Sequence, residues 1–196
     1  MRKTAAQEHR EKIKDEFWPK EVAWTGEKPE QGWFRAPRTL PLILILLRSE
    51  KTTDSKLDPT GVYLELLARH RDTGIVEMVA EGEHSYSAGY AGSRGVRSWQ
   101  ERMQLLAQLG FIKSKRSGNQ QYKYVLLVHP TIVVRNLHDA GKIDPLWWDT
   151  YTQRQIETKQ LSYDAIIEAE EEKSAPDKKA RPKTKKRRRT SSRPAA

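Results

Sequence analysis

Seven basic residues, Arg94, Arg97, Arg102, Lys113, Lys115, Arg116 and Lys123, stand between Gly92 and Lys123 against one acid, Glu101, a local charge of +6. A cluster of that sign suits a polyanion, because guanidinium and ammonium groups neutralise phosphates and release the counterions condensed on them. The whole chain carries +10, yet the total says little. From Lys173 to Ala196 eleven Lys and Arg face a single acid, Asp177, so this tail alone holds +10 and the preceding 172 residues balance. The isoelectric point reports the tail, and the +6 segment is a basic island in a neutral body.

The elements that must position this island are legible from Ser93 to Val128. Ser93 is a good N-cap, since its hydroxyl can accept a bond from an amide that the first helical turn leaves unpaired. Val96, Trp99, Met103, Leu106 and Leu109 recur at steps of three and four, which predicts a helix with one buried face. Gly110 follows the last of them, where a left-handed stop favours glycine. Phe111 to Arg116 and Tyr122 to Val128 have strand character and flank the turn residues Ser117, Gly118 and Asn119, which predicts a β-hairpin.

A helix with basic residues at its start, followed at once by a basic hairpin, resembles the recognition helix and wing of the winged helix-turn-helix superfamily. The rest of that pattern can be laid along the chain. Asp58-Pro59 opens a helix ending near Arg71 to Gly74, with Val62, Leu64, Leu66 and Leu67 mostly inward. Ile75 to Val79 is one short strand. Glu83 to Tyr90 would be the first helix of the pair and Ala91-Gly92 the turn. The resemblance covers about Thr60 to Val128, and it implies an α+β fold that binds double-stranded DNA without catalysis. On it Arg94, Arg97, Ser98 and Glu101 point outward into the major groove, where Arg94 and Arg97 can give paired donors to guanine. Gly95 would let the backbone approach closely, and Arg102 and Gln104 would meet phosphates or solvent. Lys113, Lys115, Arg116 and Lys123, with Asn119 to Gln121 at the tip, would set affinity and register on the backbone.

Four segments follow. Residues 1–38 form a charged arm whose Trp24, Trp33 and Phe34 are expected to cover the edge of the core. Residues 39–129 hold the domain, including an apolar helix from Leu40 to Arg48 capped by Thr39 and a polar loop from Ser49 to Leu57. Residues 130–172 form a helical extension: a helix over Thr131 to Ala140 with Ile132, Val133 and Leu137 apolar, another opened by Asp144-Pro145, and Leu161 to Glu172 either continuing it or starting afresh at Ser162. Trp147 and Trp148 point about 100 degrees apart on a helix, so one can face the core and one a partner; a helix packed back on its own domain is expected ahead of a homodimer through 145–172. From residue 173 the chain is too polar to build a core. Its Lys185, Lys186, Arg187, Arg188 and Arg189 would hold any nucleic acid non-specifically.

Several classes are excluded. Cysteine is absent, which removes disulfides, thiol nucleophiles and thiolate metal sites. His9, His70, His84, His129 and His138 show no metal-ligand spacing and are expected to be surface or satisfied histidines. Gly89, Gly92 and Gly95 lack the Lys and Ser or Thr of a phosphate-binding loop. No cofactor, metal or small-molecule substrate is expected. The eight-residue run from Leu40 to Leu47 is far short of the roughly twenty needed to span a membrane. A cytoplasmic, nucleoid-associated protein is expected, or a nuclear one in a eukaryotic host. Its role would be transcription control, or replication or partition of a mobile element. The alternatives are a protein-interaction scaffold, contacting through Trp147, Trp148 and the N-terminal aromatics, and an RNA or single-strand binder driven by the tail.

Overall fold

A computed structural model describes Glu8 and residues 36–70 and 74–174. The chain divides into two units, Met1–Arg35 and Ala36–Ala196, and every element below belongs to the second. The arm's aromatics and the basic tail from residue 175 onward fall outside the described residues, while residues 173 and 174 end the last helix. Among the described residues there are eight helices and one small antiparallel sheet, an α+β arrangement: α1 (Leu40–Arg48), α2 (Glu50–Thr53), α3 (Thr60–Arg69), β1 (Ile75–Glu77), α4 (Glu81–Ser87), α5 (Gly95–Leu109), β2 (Ile112–Ser117), β3 (Gln120–Leu127), α6 (Pro130–Asp139), α7 (Pro145–Thr158) and α8 (Tyr163–Ser174). None of these helices is long and apolar enough to cross a membrane.

Helix α1 starts where expected, with Pro41 in the turn that needs no amide. Thr39 occupies the cap position, but its hydroxyl donates to Gln160 Oε1 at 2.9 Å instead of capping. The polar loop expected after α1 contains the one-turn helix α2. Its threonines fold inward because Thr52 donates to the carbonyl of Lys142 and Thr53 to that of Ser49. Helix α3 ends at Arg69, earlier than expected, and it buries Tyr63 and Glu65 while Leu64 is half-exposed.

Asp58 sets the start of α3: its Oδ1 accepts from the Thr60 amide at 2.9 Å and from the Thr60 hydroxyl at 2.6 Å. Burial pushes this carboxyl up, but the two Thr60 bonds and Arg48 outweigh it and hold it below 3.8. A lowered folded pKa contributes stability above the unfolded value, and that contribution is lost as pH falls through the folded one. Asp58→Ala is therefore expected to cost about 1 kcal/mol near neutrality and close to nothing in strong acid. Urea melts of both proteins at the two pH values check it.

The sheet order is β1-β3-β2, with Ile75 opposite Leu126 and Leu126 opposite Lys113. The core lies between this sheet and α1, α3, α5 and α6. Trp99, fully buried, packs edge-on against Tyr122 of β3 at 5.6 Å and beside His84 of α4 at 6.3 Å. Helix α6 buries Thr131, Val133, Val134 and Leu137, with Ile132 half-exposed. Asp144 caps α7 through the amide of Leu146, Lys159 ends it in a left-handed turn, and α8 starts afresh with the Ser162 hydroxyl accepting from Ala165.

The extension shares the domain's core. Tyr151 is buried, and the Trp147 indole donates to the carbonyl of Leu42 at 3.0 Å. Trp148, the ring expected to face a partner if Trp147 faced the core, stacks on His138 of its own chain at 3.8 Å. Both rings are half-buried because α6 supplies a second surface on that side of α7.

Candidate nucleic-acid interface

Helix α4 spans Glu81–Ser87, shifted toward the N-terminus from the expected Glu83 to Tyr90, so residues 88–94 join it to α5. The cap of α5 is Arg94, and Ser93 makes no cap bond. The start of α5 is packed closely against the connection that precedes it. Gly95 is buried, with its amide donating to the carbonyl of Gly92, and a Cβ placed on it would sit 2.3 Å from the carbonyl oxygen of Tyr90. The close backbone approach expected of Gly95 is thus made within the protein, and this residue is not open to DNA. Gly110 ends α5 at φ +87, as expected of a left-handed stop.

The apolar stripe of α5 buries Trp99, Met103, Leu105, Leu106 and Leu109, with Val96 half-buried. The opposite stripe carries Arg97, Glu101, Gln104 and Gln108, all exposed, with exposed Ser93 and Arg94 just before the helix and Ser98 half-buried beside it. Arg97 is 83% exposed at its side chain and its Nε lies 3.3 Å from Glu101 Oε1. Gln108 was not singled out from sequence, although it completes the polar spacing of four, three and four that begins at Arg97.

Arg102 is committed elsewhere. Its Nε donates to the carbonyl of Asp58 at 3.0 Å, its Nη1 to that of Ser98 at 2.8 Å, and its guanidinium lies 4.5 Å above the ring of Tyr90, whose hydroxyl also donates to Asp58. It ties the α4–α5 connection to the start of α3 rather than meeting phosphates. No local pattern signals this, because the contact spans 44 residues.

The hairpin divides its charges by the alternation of a strand. Lys113 and Lys115 stand opposite Leu126 and Tyr124 on the outer face of the sheet, alongside Ile75 and Glu77. Arg116 is exposed and its Nε donates to the carbonyl of Gly118, which forms the two-residue turn with exposed Asn119. Gln121 is exposed near the tip and donates to the Tyr122 hydroxyl. Two extra residues in β3 break the register between Lys115 and Ser117. Lys123 is not a free cation: it donates to the carbonyl of Met78 at 3.2 Å and pairs with Glu77 at 3.0 Å. Its role is to hold β3 to the end of β1. Lys185, Lys186, Arg187, Arg188 and Arg189 lie outside the described residues.

No family model matches this chain, and no curated protein or solved structure matches it. Its chemistry is therefore read from its own side chains.

Behind α5 lies a polar cluster that the sequence did not single out. The Glu65 carboxylate, 4% exposed, accepts from His84 Nδ1 at 2.9 Å and pairs with Arg69, and Arg69 reaches Glu83 at 2.9 Å. That contact with Arg69 holds the Glu83 carboxyl below its ordinary range. Glu81 accepts from the Gln100 amide at 2.7 Å. His84 is thus a satisfied, buried histidine. Among the described residues no group of three His, Asp or Glu could hold a metal ion. What faces outward is a stripe of guanidinium, hydroxyl, carboxylate and amide groups, which can donate to and accept from a partner's polar edges.

Proposed function

We propose that this chain is a non-enzymatic double-stranded DNA-binding protein of winged helix-turn-helix type, with α5 in the major groove and the β2–β3 hairpin on the adjacent backbone. The observation that carries the reading is the exposed stripe of Arg94, at the cap, and Arg97 and Glu101, on the first turns of the helix that precedes a basic hairpin. A strand antiparallel to the second arm of that hairpin supports it. Arg94 and Arg97 supply base contacts, Lys113, Lys115 and Arg116 supply phosphate contacts, and Asn119 sits at the tip. The basic tail adds salt-dependent, sequence-independent affinity. The output is transcription control, or replication or partition of a mobile element. A homodimer through 145–172 would match two half-sites, and the outward side of α7, with Leu146 and Ile156 exposed, is the surface available for it.

Selection of duplexes from a random library at physiological salt with excess competitor tests this reading. The protein is expected to enrich one motif. Arg97→Ala should then lose about 1–3 kcal/mol, roughly 5- to 150-fold, on the selected duplex, with little change on random DNA by fluorescence anisotropy. Equal loss on both would assign Arg97 to the backbone, and the absence of any motif would remove the reading.

One observation favours a protein-binding scaffold instead. Ile75, Tyr124 and Leu126 are each at least 40% exposed on the outer face of the sheet. Since Trp147 and Trp148 pack on their own chain, such a contact would use this face. Charge reversal at Lys113 and Lys115 separates the two, because it weakens DNA binding in the first case alone.

A further inference from the structure

A carboxylate on a surface meant for DNA is a cost, because it repels the phosphates that supply most of the attraction. Three acids lie on α4 and the first turns of α5. Glu83 is held by Arg69 and Glu81 by Gln100, so both are engaged with the protein's own body. Glu101 alone of the three is paired on the outward stripe, with Arg97.

We propose that Arg97 and Glu101 form one coupled base-reading unit, selecting a guanine and a cytosine one or two base pairs apart; this rests on the DNA-binding reading above. The geometry of the pair supplies the coupling. A guanidinium has five N–H donors in a planar fork, and Glu101 engages Arg97 through Nε. The two terminal amino groups form another edge of the fork, which can donate in parallel to guanine O6 and N7. Glu101 thereby restricts the rotation of a long side chain that is otherwise 83% exposed.

The carboxylate reads as well as positions. Four residues along a helix is a rise of about 6 Å, and base pairs are about 3.4 Å apart, so Glu101 meets the edge one or two steps from the guanine. A carboxylate only accepts. Cytosine offers the N4 amino donor there, whereas guanine and thymine offer acceptors that leave the carboxylate unpaired and repelled. The single acid of the basic island therefore serves selectivity at the expense of affinity.

The full chain and its Glu101→Gln and Arg97→Ala variants would be compared by selection from a random duplex library at physiological salt, followed by anisotropy on the enriched duplexes. Both side chains are on the surface, so thermal melting should match the parent and confirms that each variant is folded. The parent is expected to enrich guanine and cytosine at that spacing. In Glu101→Gln the guanine should persist, while the cytosine gives way to adenine, whose N6 and N7 pair with a carboxamide, by roughly 5-fold or more in relative affinity. Arg97→Ala should lose the guanine and weaken the cytosine preference together. A Glu101→Gln variant that binds every duplex more tightly with an unchanged motif would overturn the proposal while leaving DNA recognition standing. A parent that enriches no motif would overturn both.

Discussion

Glu65→Ala is expected to destabilise the fold by about 3–5 kcal/mol, a large part of the roughly 5–15 kcal/mol that holds a domain together. The carboxylate joins α3 to α4, with His84 only 2% exposed at its side chain and Arg69 one helical turn along α3. Removing it leaves a buried imidazole and a half-buried guanidinium facing the space it filled, without their carboxylate acceptor. The cluster is not optimal for stability. Glu65 Oε2 is buried without a hydrogen-bond partner, as is the Trp99 indole nitrogen nearby in the core. Glu65→Leu combined with His84→Phe removes both partners at once and should cost much less than Glu65→Ala alone. Urea denaturation of the two variants measures the difference. A Glu65→Ala loss below about 1 kcal/mol would show that the pair contributes little.

The same chemical change should have opposite signs at two glycines. Gly95→Ala is expected to cost about 3 kcal/mol, the upper end for forcing an atom into filled space. The obstacle is backbone: the added Cβ would meet the Tyr90 carbonyl oxygen at 2.3 Å and its carbon at 3.0 Å. Nothing there can swing aside unless the whole α4–α5 connection shifts. Gly82, inside α4, has open space around it and an ordinary helical backbone, so Gly82→Ala should stabilise by about 0.5–1 kcal/mol. Thermal melts of both variants decide the point, and a neutral Gly95→Ala would mean the connection is loose.

Elements with a local cause were legible in the sequence. The stripe from Trp99 to Leu109 and the glycine after it bring α5 to its observed end, and the hairpin needs only two strand-like runs around Gly118 and Asn119. Asp144 and Ser162 act where their types suggested. Three of the misses share a different cause: each depends on a residue far along the chain. Thr39 abandons its own helix for Gln160, Arg102 leaves the surface for Asp58, and Lys123 folds back on Met78 and Glu77. Gly95 looked like an opening for a ligand because glycine signals close approach without saying what approaches. The candidate interface was half-visible for the same reason. Composition counted seven cations, while the fold decides that Arg102 and Lys123 work within the protein and that Arg97 faces outward.

The bond from Thr39 to Gln160 joins residues 121 positions apart, and the Gln160 amide also donates to Thr131. At a synthesis rate of about 5–20 residues per second, Thr39 therefore waits roughly 6–24 s before Gln160 is made. For most of that interval the Leu42 side of α1 lacks Trp147, which lies 105 positions after it. An apolar helix made early thus keeps an uncovered edge until α7 has been made, and the Trp147 indole then closes it at Leu42.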